Sequence, residues 1–358
     1  MNENGRSNRH AAYSKANQLT HQFQLIELRL LAMMSLEDVE SARRRIRALI
    51  KKTPLLRSGF LSDLTGGEVC LKLENLQITS SFKIRGALNR MLNLTAEDKQ
   101  SGVITASTGN HAQAVAYSAA KLNVPARIVV PRTAPKVKVE KIRKHKVELI
   151  LHGEDYDQAE QYAIELSKKE ALTYISPYND AMVIAGQGTI GLEILEEIPT
   201  VDTIIVPVSG GGLVGGIALA AKETRTAIKI QGVQPEATPA MYESLKAGRI
   251  INVEMRPTVA DALDGNMEKG SLTFDLAQRY VDEVLLIKED TIREAIKLLW
   301  ERERQVAEGG GAIAIAPILE KRNRYASKTT VAVISGGNID APLFQSITSE
   351  RLPSPIEN

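Results

Sequence analysis

Between Gly102 and Pro235 the chain alternates two kinds of pattern. Short β-branched runs (GVITAS, ARIVVP, VELILHG, LTYISP, DTIIVPVS and AIKIQGVQP) are separated by stretches with apolar residues at helical spacing, such as NHAQAVAYSAAKL, DYDQAEQYAIELSKKE and VIAGQGTIGLEILEEI. The runs predict strands and the stretches predict helices, and their alternation predicts parallel sheets in an open α/β fold. EVCLKLE and VAVI read as further strands on either side. Ser35, followed three residues later by Asp38, is a helix N-terminal signature ahead of VESARRRIRALI. The basic run Lys136 to Lys146 carries Val and Ile at helical spacing and predicts a solvated helix face. In such folds ligands sit beyond the carboxyl ends of strands, so chemistry is expected where strands turn into helices.

Three of those turns stand out. Ser107-Thr108-Gly109-Asn110-His111 joins a strand to an Ala-rich helix, where unpaired backbone N–H groups can bind an anion or serve an ordinary N-cap. Ser209-Gly210-Gly211-Gly212-Leu213 follows DTIIVPV, and its glycines open the backbone to an approaching group at the positive end of a helix. Ile334-Ser335-Gly336-Gly337-Asn338 follows VAVI and puts a hydroxyl at a strand tip. A fourth stretch, Ser80-Ser81-Phe82-Lys83-Ile84-Arg85-Gly86-Ala87, sets Lys83 between an aromatic and an isoleucine. Together the four offer an amine for an aldehyde, donors for a phosphate, and partners for a ring hydroxyl and a ring nitrogen, which is the set pyridoxal phosphate needs. Gly210, Gly212 and Gly215 also satisfy G-x-G-x-x-G, with Glu236 at the distance of a ribose ligand, and so a nicotinamide dehydrogenase is the rival reading. Against it, the glycine turn does not open the α/β region, and no catalytic His or Tyr-Lys pair is evident.

Composition narrows the picture. The 358 residues are 43% hydrophobic, enough to bury a sizeable core in two domains, and 45 basic against 43 acidic side chains give no electrostatic case for a nucleic-acid partner. The apolar run Gly210 to Ala221 is too short and too glycine-rich to span a bilayer. Residues 1–33 lack the ordered regions of a signal peptide and read as an N-terminal extension, so a cytoplasmic location is expected. A single cysteine, Cys70, excludes an internal disulfide framework and a multi-cysteine zinc site.

With SSFKIRGA, STGNHAQAVA, VIAGQGTIGLE, PVSGGGLVGG, TVADAL and ISGGN in this order, the chain resembles the serine/threonine dehydratase and serine racemase group of fold type II pyridoxal phosphate enzymes, from about Val39 to Asn338. The resemblance implies two open, twisted parallel-sheet domains of the tryptophan synthase β type: a small domain over 102–176, and a large cofactor-binding domain from 34–101 plus 177–358. It implies that Lys83 holds the cofactor covalently and Phe82 shields a ring face. Asn110 would take the ring hydroxyl, Ser209, Gly210, Gly211, Gly212 and Leu213 the phosphate, and Ser335 the ring nitrogen. Glu308 would sit close to the ring and orient it. The substrate carboxylate is expected on Ser107, Gly109, Asn110 and His111, and Ser107, Thr108 and Lys83 form the catalytic set. The implied reaction eliminates water from a β-hydroxy amino acid, threonine or serine, releasing ammonia and a 2-oxo acid. Racemisation of serine, or dehydration of a substrate such as 3-hydroxyaspartate, is the alternative.

The chain also departs from that pattern. Ser209 stands where many relatives have a fourth glycine, Thr108 where racemases have serine, and Gln158 where racemases have an arginine. Gln234, Thr238 and Ala240 replace the acidic ligands that eukaryotic relatives offer a divalent cation, so no metal is expected there. Asp261 and Asp264 are expected near the pocket mouth in structural roles, and Tyr178 beside the cofactor. About twenty residues follow Asn338, too few for an appended regulatory domain. Relatives are commonly dimers or tetramers, and a homo-oligomer is expected.

Overall fold

In the computed structural model, which describes residues 34–134 and 136–349, the apolar runs become strands of two sheets. Among the described residues the strands are β1 Leu55–Arg57, β2 Glu68–Leu73, β3 Val103–Ala106, β4 Ala126–Val130, β5 Glu148–Leu151, β6 Thr173–Tyr174, β7 Thr203–Pro207, β8 Lys229–Pro235, β9 Glu283–Ile287 and β10 Thr329–Ile334. One sheet has the order β1-β2-β10-β7-β8-β9, and the other β5-β4-β3-β6. The strands of the second sheet all lie between Val103 and Tyr174. The extension 1–33 falls outside the described residues.

Every residue of β7 is buried, because helices cover both faces of its sheet; this is why TIIVP is an uninterrupted apolar run rather than an alternating one. Among the described residues all pairings between strands are parallel except one. Leu55 to Arg57 pair antiparallel with Lys72 to Cys70, so the first sheet is mixed where a parallel one was expected. The reason lies in the connection: the ten residues from Ser58 to Gly67 are fewer than the dozen or so a parallel crossover needs.

The predicted helices form at Asn110–Leu122, Tyr156–Lys169 and Ala181–Glu197. The helix after Ser35 runs from Leu36 to Ile46 and stops short of Ile50. Within the helix Ala181–Glu197, a Cβ on Gly186 would lie 2.5 Å from the Arg85 carbonyl, so this helix and Lys83–Leu92 touch backbone to backbone. In the first sheet the strand order reverses between β7 and β10, and in the second β3 lies between β4 and β6. The glycine turn follows β7, Ser335 follows β10, and Ser107 follows β3. The chemistry-bearing turns therefore stand at the switch points where open α/β sheets part to form a crevice.

Candidate active site

Lys83 is the first residue of the helix Lys83–Leu92. The tip of β10 holds the approach to it: Ser81 bridges to Gly336, and the Phe82 N–H donates to the Ser335 carbonyl at 3.1 Å. Lys83 Nζ donates to the Pro177 carbonyl at 2.8 Å and lies 5.1 Å from the centroid of the Phe82 ring. Burial, only partly opposed by the Glu308 charge, pulls its pKa down to about 8. A free lysine would be almost wholly ammonium at neutral pH, but this amine has an accessible neutral form.

Two residues on, Arg85 is fully buried and its five N–H groups all find acceptors. Nε and Nη2 donate to the two oxygens of Glu74 at 2.8 Å each, Nη1 and Nη2 to those of Glu193 at 2.6 and 2.9 Å, and Nη1 to Thr189 Oγ1 at 3.1 Å. Lys72 Nζ adds a pair to Glu193 at 2.7 Å and donates to the Thr53 carbonyl at 2.7 Å. Burial alone would raise the Glu193 carboxyl, but the Arg85 and Lys72 charges outweigh it and hold it below the usual range. This network ties the helix of Lys83 to β2 and to the helix Ala181–Glu197. Sequence reasoning gave Arg85 no role; the available signal was a charged residue on the helix face shared with Ile84 and Leu88, all three buried.

Asn110 and Glu308, 198 positions apart, meet through Asn110 Nδ2 and Glu308 Oε1 at 2.6 Å. Glu308 is buried, and burial together with the Asp261 charge raises its carboxyl to about 7. Asn338 donates from Nδ2 to Asn110 Oδ1 at 2.7 Å and to the Thr79 carbonyl at 2.9 Å. A Cβ on Gly336 would lie 2.4 Å from Glu308 Oε1 and 3.3 Å from Asn110 Nδ2, so glycine there lets this cluster close on the tip of β10. Ser335 is buried, and its Oγ donates to the Gly310 carbonyl at 3.0 Å.

At the glycine turn, Gly211 has φ of 89°, a left-handed conformation, and caps the helix Gly212–Thr224. A Cβ on Gly210 would sit 2.5 Å from the Tyr178 ring. Thr273 Oγ1 donates to the Gly210 carbonyl at 2.5 Å and anchors the loop from behind. The Tyr178 hydroxyl accepts from the Glu268 N–H at 3.0 Å, so this aromatic is wedged between the loop and its neighbour rather than free in a surface turn. Leu213 is buried, and Ser209 is partly exposed beside the turn.

The Ser107–His111 loop opens the helix Asn110–Leu122 with Gly109 as an N-cap lacking a side-chain cap. Ser107 Oγ accepts the Gly109 N–H at 3.2 Å, and nothing lies within 4 Å of where a Gly109 Cβ would be. The first N–H groups of the helix thus border open space. Ser107 and Thr108 are partly exposed beside them. The His111 imidazole turns inward instead: Nε2 donates to the Ile175 carbonyl at 3.0 Å, Nδ1 is buried without a partner, and burial plus the Lys83 charge lowers the ring to about 3. The Asn110 side chain goes to Glu308 and the His111 ring to the Ile175 carbonyl, so only the His111 backbone stays at the helix start.

Outside this cluster, Lys138 is not merely part of a solvated face, since its Nζ reaches Asp261 Oδ2 at 2.6 Å. Gln158 bonds to Asp155 and to the Glu154 N–H within its own helix start. Gln234 Oε1 accepts the Tyr242 N–H at 3.1 Å. No group of three His, Cys, Asp or Glu side chains that could hold a metal occurs among the described residues.

These positions fit pyridoxal phosphate. They offer a desolvated amine, a buried hydroxyl, a clamped amide and the start of a 13-residue helix, and Ser81 Oγ and Thr79 Oγ1 are buried near Lys83 in sequence without partners. Fold and site define an α/β enzyme dependent on this cofactor. The family described as "Pyridoxal-phosphate dependent enzyme" matches residues 46–336, and the chain belongs to it. Its relatives include the L-threonine ammonia-lyase of Thermotoga maritima, 44% identical over 320 residues that span 89% of this chain and 79% of that protein. Among solved structures, maize serine racemase superposes with a TM-score of 0.83 at 34% identity, covering 88% of this chain and 97% of that one. The processed form of threonine deaminase isoform 2 from Solanum lycopersicum gives 0.83 at 36% identity, covering 87% and 86%. The dinucleotide reading of the glycine turn falls with this assignment.

Proposed function

We propose that the protein is an ammonia-lyase that removes the elements of water from L-threonine or L-serine and releases ammonia and a 2-oxo acid. The observation that carries this reading is the buried Lys83 amine, held on the Pro177 carbonyl beside the Tyr178 that packs on Gly210, and one residue after the Phe82 N–H that bonds to the Ser335 carbonyl. The cofactor supplies an aldehyde for the substrate's amine and a ring that accepts the electron pair left when Cα loses its proton. Lys83 Nζ, once free of the cofactor, takes that proton in its neutral form. The N–H groups at the start of Asn110–Leu122 bind the substrate carboxylate, and Asn110 holds the ring hydroxyl. The helix start at Gly212 carries the phosphate, with Ser209 to Leu213 around it. Ser335, a neutral hydroxyl, would face the ring nitrogen of the bound group without bringing it a formal charge, which would keep that ring a weak electron sink and suit elimination of the β-hydroxyl. Phe82 covers one face and Glu308 fixes Asn110.

Threonine is favoured because the Thermotoga maritima relative carries that name at 44% identity. Racemisation is the second reading, favoured by the likeness to maize serine racemase; Thr108 offers a hydroxyl but adds a methyl where racemases have serine, which weighs against it. We take 102–176 as the small domain, closing on the large domain over the substrate. The enzyme acts as a homo-oligomer in the cytoplasm; its one cysteine, Cys70, is buried and suits a reducing compartment.

A panel of β-hydroxy amino acids assayed for 2-oxo acid and ammonia, with chiral analysis of recovered serine, tests the reading. L-threonine or L-serine should yield both products, and Lys83→Ala should yield neither. Activity retained by Lys83→Ala, or serine racemised with no 2-oxo acid formed, overturns it.

A further inference from the structure

The two ends of an amide side chain have the same shape, so its neighbours decide which way Asn110 points its donor. Here the decision starts at a backbone oxygen. The Thr79 carbonyl can only accept, and it receives Asn338 Nδ2 at 2.9 Å. That fixes the Asn338 nitrogen, whose second proton goes to Asn110 Oδ1 at 2.7 Å. Asn110 must then turn its own nitrogen to Glu308 Oε1 at 2.6 Å. One proton of Asn110 Nδ2 is left uncommitted.

Resting on the pyridoxal phosphate reading above, we propose that Asn338 is a positioning residue that locks Asn110 as a hydrogen-bond donor toward the ring hydroxyl oxygen of the cofactor. A donor facing that oxygen favours its ionised form, and an acceptor there would disfavour it. Asn338→Asp keeps the shape and reverses the sense of the chain. A carboxylate cannot donate to Thr79 or to Asn110; it accepts from Asn110 instead and turns the Asn110 oxygen toward Glu308, whose carboxyl can hold a proton near neutral pH.

The test is a pH titration of the visible absorption of bound pyridoxal phosphate in the wild-type protein, Asn338→Asp and Asn338→Ala. Borohydride reduction verifies that each still carries the cofactor on Lys83. The ring-oxygen pKa should rise by about one unit in Asn338→Ala, the equivalent of one lost hydrogen bond, and by more in the aspartate variant. Turnover should fall with it, while the KM for the amino acid changes little. Asn338→Ala adds no charge and decides the matter if the aspartate variant does not fold. Variants that bind the cofactor and titrate like the wild type overturn the inference and leave the functional reading standing. A wild-type protein that takes up no pyridoxal phosphate overturns the functional reading instead.

Discussion

Lys83 and Arg85 sit two positions apart on one helix, and the protein treats their charges in opposite ways. Around Arg85 each of the five N–H groups meets an acceptor, four of these bonds go to carboxylates, and the charge is held on. Around Lys83 the amine meets one neutral carbonyl, the charge is discouraged, and Ser81 Oγ, Thr79 Oγ1 and His111 Nδ1 are left without partners. Buried polar groups are normally satisfied, so the contrast is informative. The Arg85 guanidinium is satisfied wholly within the protein, whereas the groups around Lys83 keep hydrogen-bonding capacity for a further partner. The closed network lies directly behind the open one and holds its helix in place.

Breaking the closed side should produce the largest effect on stability. Arg85→Met strands Glu74 and Glu193 in the interior and should lower unfolding stability by about 3–5 kcal/mol, read from the urea midpoint. Lys83→Met is the counterpart: it abolishes cofactor attachment and turnover but should not lower the melting temperature of the cofactor-free protein. A large loss of stability in the lysine variant and none in the arginine variant would invert the comparison.

The pH dependence sharpens it. Because the folded pKa of Lys83 is lowered to about 8 from an ordinary 10.5, cofactor capture by the cofactor-free protein should rise about tenfold per unit below pH 8 and level off above it. The unfolded chain holds the proton more tightly over that interval. The Lys83 contribution to stability therefore grows as pH climbs from about 8 to 10.5 and is flat below. Glu308 runs the other way: its raised pKa means its contribution is present below the ordinary carboxylate value of 4.5 and declines as pH passes from there through about 7. Stopped-flow absorbance measures the capture rate, and a rate still climbing at pH 10 would refute the desolvation of Lys83.

The smallest effect belongs to the open side. Ser81→Ala removes a hydroxyl that satisfies nothing, so it should change the stability of the cofactor-free protein by no more than about 0.5 kcal/mol while weakening cofactor affinity. Equal affinity in that variant, by fluorescence titration, would mean that Ser81 Oγ faces no ligand.

Much of this was legible along the chain. The runs that became β3, β4, β7, β8 and β10 are buried along nearly their whole length, and such strands leave an unmistakable apolar run; β5 and β6, half-exposed at the two edges of their sheet, were legible only from their β-branched and aromatic residues. β1 and β9 were not anticipated: β1 is three residues long with a half-exposed pattern, and in β9 only Val284 and Ile287 are buried. The site turns were legible because each joins a strand end to glycines or hydroxyls, a local signature. His111 was expected at the substrate carboxylate as part of the helix N-terminus; that its ring turns to the Ile175 carbonyl had no signal in the sequence. Lys138 read as solvent-facing because nothing local tells of Asp261, 123 positions away.

By itself the sequence determined the α/β alternation and the cofactor class and singled out Lys83 as the candidate amine, since strand runs, glycine turns and a lysine in an apolar frame are fixed by residues close together in the chain. Tertiary structure alone decided which charges are closed off and which groups stay open. Glu74, Arg85, Thr189 and Glu193, like Thr79, Asn110, Glu308 and Asn338, meet only when distant segments pack. The energy of a buried polar group depends on the partners that packing delivers to it.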